Sequence, residues 1–76
     1  MEKMDFAQRI ENSFHSVDEG KIYSHVIADA ETILIEKALQ ITHGNQILAA
    51  RILGLNRNTL RAKIRKLHIV PENFKI

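Results

Sequence analysis

Apolar residues along this chain recur at helical steps and never with the alternation of a half-buried strand. In DFAQRIENSFHSV, Phe6, Ile10, Phe14 and Val17 follow one another at intervals of four, four and three. Asp5, with Gln8 three places on, has the form of a capping box, so the spacing predicts a first helix over about residues 6–16. DEGK, 18–21, contains the first glycine and predicts a turn. A longer helix is expected over about 22–43, where Tyr23, Val26, Ile27, Ala30, Ile33, Leu34, Ala38 and Ile41 form one wide stripe, with Gly44 as the left-handed residue that ends it.

That second helix carries more apolar surface than one contact needs. Ala28, Ile35 and Leu39 project opposite the main stripe, separated from it by polar strips containing Asp29, Glu36 and Gln40 and containing Ser24 and Glu31. Such a helix is buried on two sides. In a chain of 76 residues, one side can pack on the domain's own helices while the other meets a second copy; the alternative is that the first helix covers both.

Beyond Gly44 the pattern shortens. Asn45 is a good N-cap, and QILAARIL, with Ala49, Ile52 and Leu53 at helical spacing, predicts about two turns of helix. Gly54 breaks it, Leu55 is a single apolar linker, Asn56 caps again, and Leu60, Ile64 and Leu67 continue at steps of four and three. Ala50-x3-Gly54-x5-Leu60 is the spacing of a helix-turn-helix. Ala50 is small where the helices cross, Gly54 suits a backbone conformation that side chains resist, and Leu55 and Leu60 fill the space between.

Charge changes the picture more than composition does. Residues 1–42 hold four basic and eight acidic side chains, net −4, whereas residues 43–76 hold seven basic and one acidic, net +6. Five of the cations, Arg57, Arg61, Lys63, Arg65 and Lys66, fall on the last helix. With Leu60, Ile64 and Leu67 inward, the arginines flank one side, Thr59, Lys63 and Lys66 flank the other, and Asn58 and Ala62 lie on the crest. A half-buried rod with this outer surface fits a DNA major groove: arginine bonds guanine edges bidentately, asparagine suits adenine, and lysine neutralises phosphate. A merely solvated helix would intersperse acidic residues, yet none occurs between positions 37 and 71.

Other chemistries find little support. Without cysteine there is no disulfide framework or zinc finger, and His15, His25, His43 and His68 are never three or four apart, so no metal site is expected. No cofactor is expected, and no catalytic residues: neither a Ser/His/carboxylate set nor a phosphate-cradling glycine loop is found. No apolar run approaches the ~20 residues of a membrane span, and MEKMDFAQRIENS lacks a signal peptide's apolar core, so the expectation is a soluble, cytoplasmic protein without a membrane partner.

HGNQILAARILGLNRNTLRAKIRKLHI, 43–69, resembles the Fis-type helix-turn-helix family through its Gly-Asn-Gln, Ala-Ala, Leu-Gly and Asn-Arg-x-Thr-Leu elements, most nearly the C-terminal DNA-binding domains of NtrC-type bacterial transcription activators. IYSHVIADAETILIEKALQIT is similar to the long helix before it, so the likeness covers about residues 22–69 and, weakly, the first helix.

The resemblance implies an all-α, four-helix fold whose first two helices intertwine with those of a second chain. The reading is one domain over 1–76, with dimerisation helices in 1–43, a helix-turn-helix in 44–69 and a solvated tail in 70–76. Phe6, Ile10, Phe14, Ile27, Ile35 and Leu39 are the expected dimer contacts. For DNA, the resemblance implies that Asn45 meets phosphate; that Asn56, Arg57 and Thr59 approach backbone and bases, with Asn58 beside them; that Arg61 is the main base reader; and that Lys63, Arg65 and Lys66 contact or flank phosphates. Asn45 and Asn56 are equally explained as helix caps.

Ile47 and Ala62 depart from the polar and basic residues of Fis, and too little chain precedes the first helix for a Fis-like N-terminal arm, so no recombination-enhancing role is expected. The expected partner is double-stranded DNA with inverted half-sites, bound by a homodimer, with receiver and ATPase domains of a longer parent chain as further partners. The alternatives are a nucleoid protein that bends DNA with little sequence preference, and a basic amphipathic module for proteins or membrane surfaces.

Overall fold

The computed structural model describes residues 5–76. Residues 1–4, the start of the expected dimerisation segment and of the stretch read for a leader, lie outside the described residues. Four helices follow in order, α1 (Phe6–Ser16), α2 (Ile22–Ile41), α3 (Gln46–Leu53) and α4 (Arg57–Lys66), then a short 3-10 helix, Pro71–Phe74. No strand occurs among the described residues. The chain divides inside α2 into two compact units, one reaching Ala30 and one running from Glu31 to Ile76. The division falls within the stretch read as dimerisation helices, and the second half of α2 shares its core with α3 and α4.

In the first unit, the Asp5 carboxylate caps α1 by accepting from the Gln8 backbone N–H at 2.8 Å, as the capping-box pattern predicts. Lys21 N–H donates to the Asp18 carbonyl at 3.1 Å across the DEGK turn, where Gly20 takes φ +88°. Arg9 of α1 is ion-paired with Asp29 of α2. The apolar side chains here stay largely open to solvent: Phe14 is 63% exposed, Tyr23 80%, and Phe6 and Ile27 are also exposed.

The second unit holds the core: Ile35, Ala38 and Leu39 from α2, Ala49 and Ala50 from α3, Leu60 and Ile64 from α4, and Ile69 beyond it. Two of the expected dimer contacts lie in this core: Ile35 is 2% exposed and Leu39 0%, so both are buried within a single chain. Residues on the face read as the main stripe, Ile33, Leu34 and Ile41, are exposed instead. Periodicity identified a helix apolar on two sides; Ala49 and Ala50 of α3 and Leu60 and Ile64 of α4 cluster with Ile35 and Leu39, and that cluster decides which side is filled internally.

Each of the last three α-helices ends in the same local device. Gly54 takes a left-handed φ of +74°, its N–H donates to the Arg51 carbonyl at 3.2 Å, and Leu55 N–H donates to Ala50 at 2.9 Å, a Schellman closure that satisfies the free carbonyls of α3. At the end of α2 the left-handed positions are His43 (φ +54°) and Gly44 (φ +84°), with Gly44 N–H donating to Leu39 at 2.8 Å. α2 therefore stops at Ile41, two residues short of the expected end, with the buried Thr42 hydroxyl donating to the Ala38 carbonyl at 2.9 Å. At the end of α4, His68 (φ +59°) plays the same part as His43.

The segment read as a solvated tail is partly structured. Pro71 is buried, Phe74 packs against the core, and Pro71 opens the 3-10 turn as its first residue with the fixed φ that its ring imposes. Gly44 admits this segment: a Cβ there would stand 2.8 Å from the Pro71 carbonyl oxygen and 2.8 Å from Lys75 Cγ. Lys75 itself remains exposed.

Candidate nucleic-acid interface

α4 is seated by Leu60, which is 0% exposed, and by Ile64, with Leu67 half-buried at its end. Those three side chains mark the face of α4 that turns inward. The opposite surface is then Arg57, Asn58, Thr59, Arg61, Ala62, Arg65 and Lys66, all exposed. Arg57 and Arg61 therefore face outward, which the groove reading requires.

The two N-cap asparagines are placed as their residue type predicts. Asn45 Oδ1 accepts from Leu48 N–H at 3.1 Å, and Asn56 Oδ1 accepts from Asn58 N–H at 2.8 Å. Capping uses the amide oxygen of each, while the NH2 group remains a donor on an exposed residue. Neither α3 nor α4 has an acidic residue in its first turn, so the partial positive charge of each helix start adds to the basic surface without being neutralised locally.

Lys63 differs from the other cations. It is half-buried, and its Nζ donates to Oε2 of Glu31 on α2. Sequence reasoning placed Lys63 among the phosphate-contacting positions and did not find this partner, because a separation of 32 residues leaves no periodic signal. Arg51, exposed in the last turn of α3, is a further cation that the sequence reading did not include. Among the described residues no group of three or more His, Cys, Asp or Glu side chains could hold a metal ion, and no helix is long and apolar enough to cross a membrane.

Of the expected dimer contacts, Phe6, Phe14 and Ile27 are exposed and Ile10 is half-buried. Ile10, Phe14, Ile22, Tyr23, Val26 and Ile27 line an open apolar hollow of about 350 Å³ within the first unit. The single chain therefore brings Ile10, Phe14 and Ile27 to one hollow, which Phe6 does not line.

What this arrangement can do chemically is bind a polyanion with a shaped, donor-rich rod: arginine forks, an asparagine amide, a threonine hydroxyl and a methyl group along one crest, with cations at its edges.

Comparison with known proteins agrees with this shape. The model of the family described as "Bacterial regulatory protein, Fis family" matches residues 26–67. The chain is 56% identical over 48 residues to the DNA-binding transcriptional regulator NtrC of Azospirillum brasilense, covering 63% of this chain and 10% of that protein. It is 58% identical over 48 residues to NtrC of Rhizobium meliloti (strain 1021), with the same coverage. To the DNA-binding protein Fis of Proteus mirabilis (strain HI4320) it is 39% identical over 62 residues, covering 78% of this chain and 63% of that protein. The chain thus spans about a tenth of the length of these NtrC relatives and 63% of this Fis relative. No solved structure matches it significantly. The matched segment begins on α2, runs through α3 and the Gly54 turn to Leu67, and takes in more than half of the sequence: the chain belongs to the Fis family of bacterial regulatory proteins.

Proposed function

We propose that this chain binds double-stranded DNA sequence-selectively as a symmetric homodimer and serves as the DNA-binding domain of an NtrC-type bacterial transcription activator. Each copy lays α4 in the major groove of one of two inverted half-sites about one helical turn, ~34 Å, apart. The observation that carries the reading is the outward set of Arg57, Asn58, Thr59, Arg61, Arg65 and Lys66 on a helix anchored by Leu60 and Ile64. Arg61 and Arg57 read base edges, Asn58 faces a base on the crest, and Arg65 and Lys66 neutralise phosphates. Asn45 and Asn56 offer their amide NH2 groups to phosphates at the starts of α3 and α4. The higher identity to the two NtrC relatives than to the Fis relative supports the activator assignment, with receiver and ATPase domains in a parent chain as partners and the bacterial nucleoid as the place of action.

The dimer is argued from the first unit. Ile10, Phe14 and Ile27 line an apolar hollow and Phe6 is exposed, so one chain leaves this apolar surface uncovered, and a second copy would bury it.

Selection of bound sites from random duplexes, with the mass of the free protein measured in parallel, tests both parts. Convergence on an inverted repeat and a mass of two chains are expected. Selected sites without two-fold symmetry, or a free mass of one chain, would overturn the dimeric operator reading.

A second reading has its own support. The alignment to Proteus mirabilis Fis covers more of this chain than the NtrC alignments do. A nucleoid protein of that kind would show only a small ratio between selected-site and random-DNA affinity. The amphipathic membrane or protein module is disfavoured because the apolar residues of α4 are already consumed: Leu60 and Ile64 are buried in the core of the second unit.

A further inference from the structure

Lys63 is the one cation on α4 that is ion-paired with an acidic residue among the described residues. Its partner, Glu31, lies on α2, and both side chains are about one-third exposed or less, at 32% and 29%. Beneath the pair is a partly open notch of about 150 Å³, walled by Leu34, Ile35, Leu53 and Leu55. Apolar walls reduce the water around the pair, so it is screened less than a freely solvated surface pair. The notch also leaves the space between α2 and α4 incompletely packed at this point, so side-chain contact alone does not hold the two helices together there. Leu60 and Ile64 anchor α4 along one line, and a contact off that line is what resists rotation of the helix about it.

We infer that Lys63 is a positioning residue and not a phosphate ligand: its ammonium, committed to Glu31, fixes the roll of α4 and thereby the aim of Arg57, Asn58 and Arg61 at base edges. The inference rests on the DNA-binding reading above. It assigns Glu31, an acidic residue on a helix outside the helix-turn-helix, an effect on sequence discrimination.

The test uses the full chain in fluorescence titrations against two duplexes, one selected from a random pool and one of random sequence, over a range of KCl concentrations. Lys63→Met, Glu31→Gln, the double variant, Lys63→Arg and Lys66→Met are compared at a temperature well below the melting point of each. Lys66→Met is the phosphate control, expected to reduce the slope of log affinity against log salt by about 0.9. Lys63→Met and Glu31→Gln are each expected to leave that slope unchanged and to lower the selected-to-random affinity ratio by ~3-fold or more, with no further loss in the double variant. Lys63→Arg keeps the pair and is expected to keep the ratio.

A Lys63→Met slope reduced as in Lys66→Met would make Lys63 a phosphate ligand and overturn the inference. So would melting points that fall while both ratio and slope stay unchanged, which would assign the pair to stability alone. Failure of the unmodified chain to bind either duplex would instead overturn the DNA-binding reading, and this inference with it.

Discussion

Gly44 and Pro71 are in such close apposition that a Cβ on the glycine would stand 2.8 Å from the proline carbonyl oxygen, nearer than real Cβ atoms come to backbone. The contact joins the end of α2 to the segment after α4, and it depends on a backbone φ of +84° that itself favours glycine.

Gly44→Ala is therefore expected to combine two costs. The left-handed conformation contributes about 1–2 kcal/mol, and displacement of the Pro71 backbone about 1–3 kcal/mol more. Gly54→Ala should show the first alone, since a Cβ at Gly54 meets nothing within 4 Å. Urea unfolding of the two variants checks the difference; equal losses would show that the 71–75 segment does not bear on Gly44 in solution.

His68 sits at φ +59° where helix ends usually place glycine. Its side chain is exposed and the strain is local. His68→Gly should stabilise the chain by about 0.5–1 kcal/mol, raising the melting temperature by several degrees in a domain of this size. A calorimetric scan showing a lower melting temperature would mean that the imidazole contributes more than its backbone conformation costs.

Asn56 separates capping from DNA contact. Asn56→Asp keeps an oxygen acceptor for Asn58 N–H, so stability should change by less than about 0.5 kcal/mol. The same change places a negative charge at the start of α4, and DNA affinity should fall on every sequence alike. Unchanged affinity would leave Asn56 as a cap alone.

Arg61→Ala should lose discrimination at particular base pairs by ~1–3 kcal/mol, whereas Lys66→Ala should weaken all sequences similarly. Competition titrations with single-base variants of a selected site distinguish the two. Equal losses on every sequence from both changes would contradict the division into base reader and phosphate contact.

Leu39→Ala and Phe14→Ala should behave differently. Leu39 is 0% exposed inside one chain, and its truncation should cost about 2–5 kcal/mol of folding stability. Phe14 is 63% exposed, and its truncation should shift the monomer–dimer balance seen by sedimentation while changing the stability of a single chain little. A Phe14→Ala chain with undiminished self-association would remove the first unit from the dimer contact.

The helices were legible because each is written locally. Asp5, Asn45 and Asn56 cap through their own side chains, Gly54 closes α3 through its own backbone, and the step of three and four in Leu60, Ile64 and Leu67 marks the face of α4 that turns inward. The outward basic surface is the opposite face. Less legible were features that depend on residues distant in sequence. His43 and His68 take left-handed conformations that their residue type does not announce, and the 71–74 turn looked like tail because its burial depends on Gly44.

Sequence by itself determined a helical chain, its turns, a helix-turn-helix spacing and the concentration of cations on one helix, since propensity, capping and periodicity act within a few residues. Tertiary structure decided which side of α2 is spent internally on Ile35 and Leu39, and which cation of α4 is held back by Glu31. Both depend on how α2 crosses helices that follow it in the chain, and a crossing is set by the volumes of residues such as Ala49 and Ala50 meeting across space, a quantity with no period along the chain.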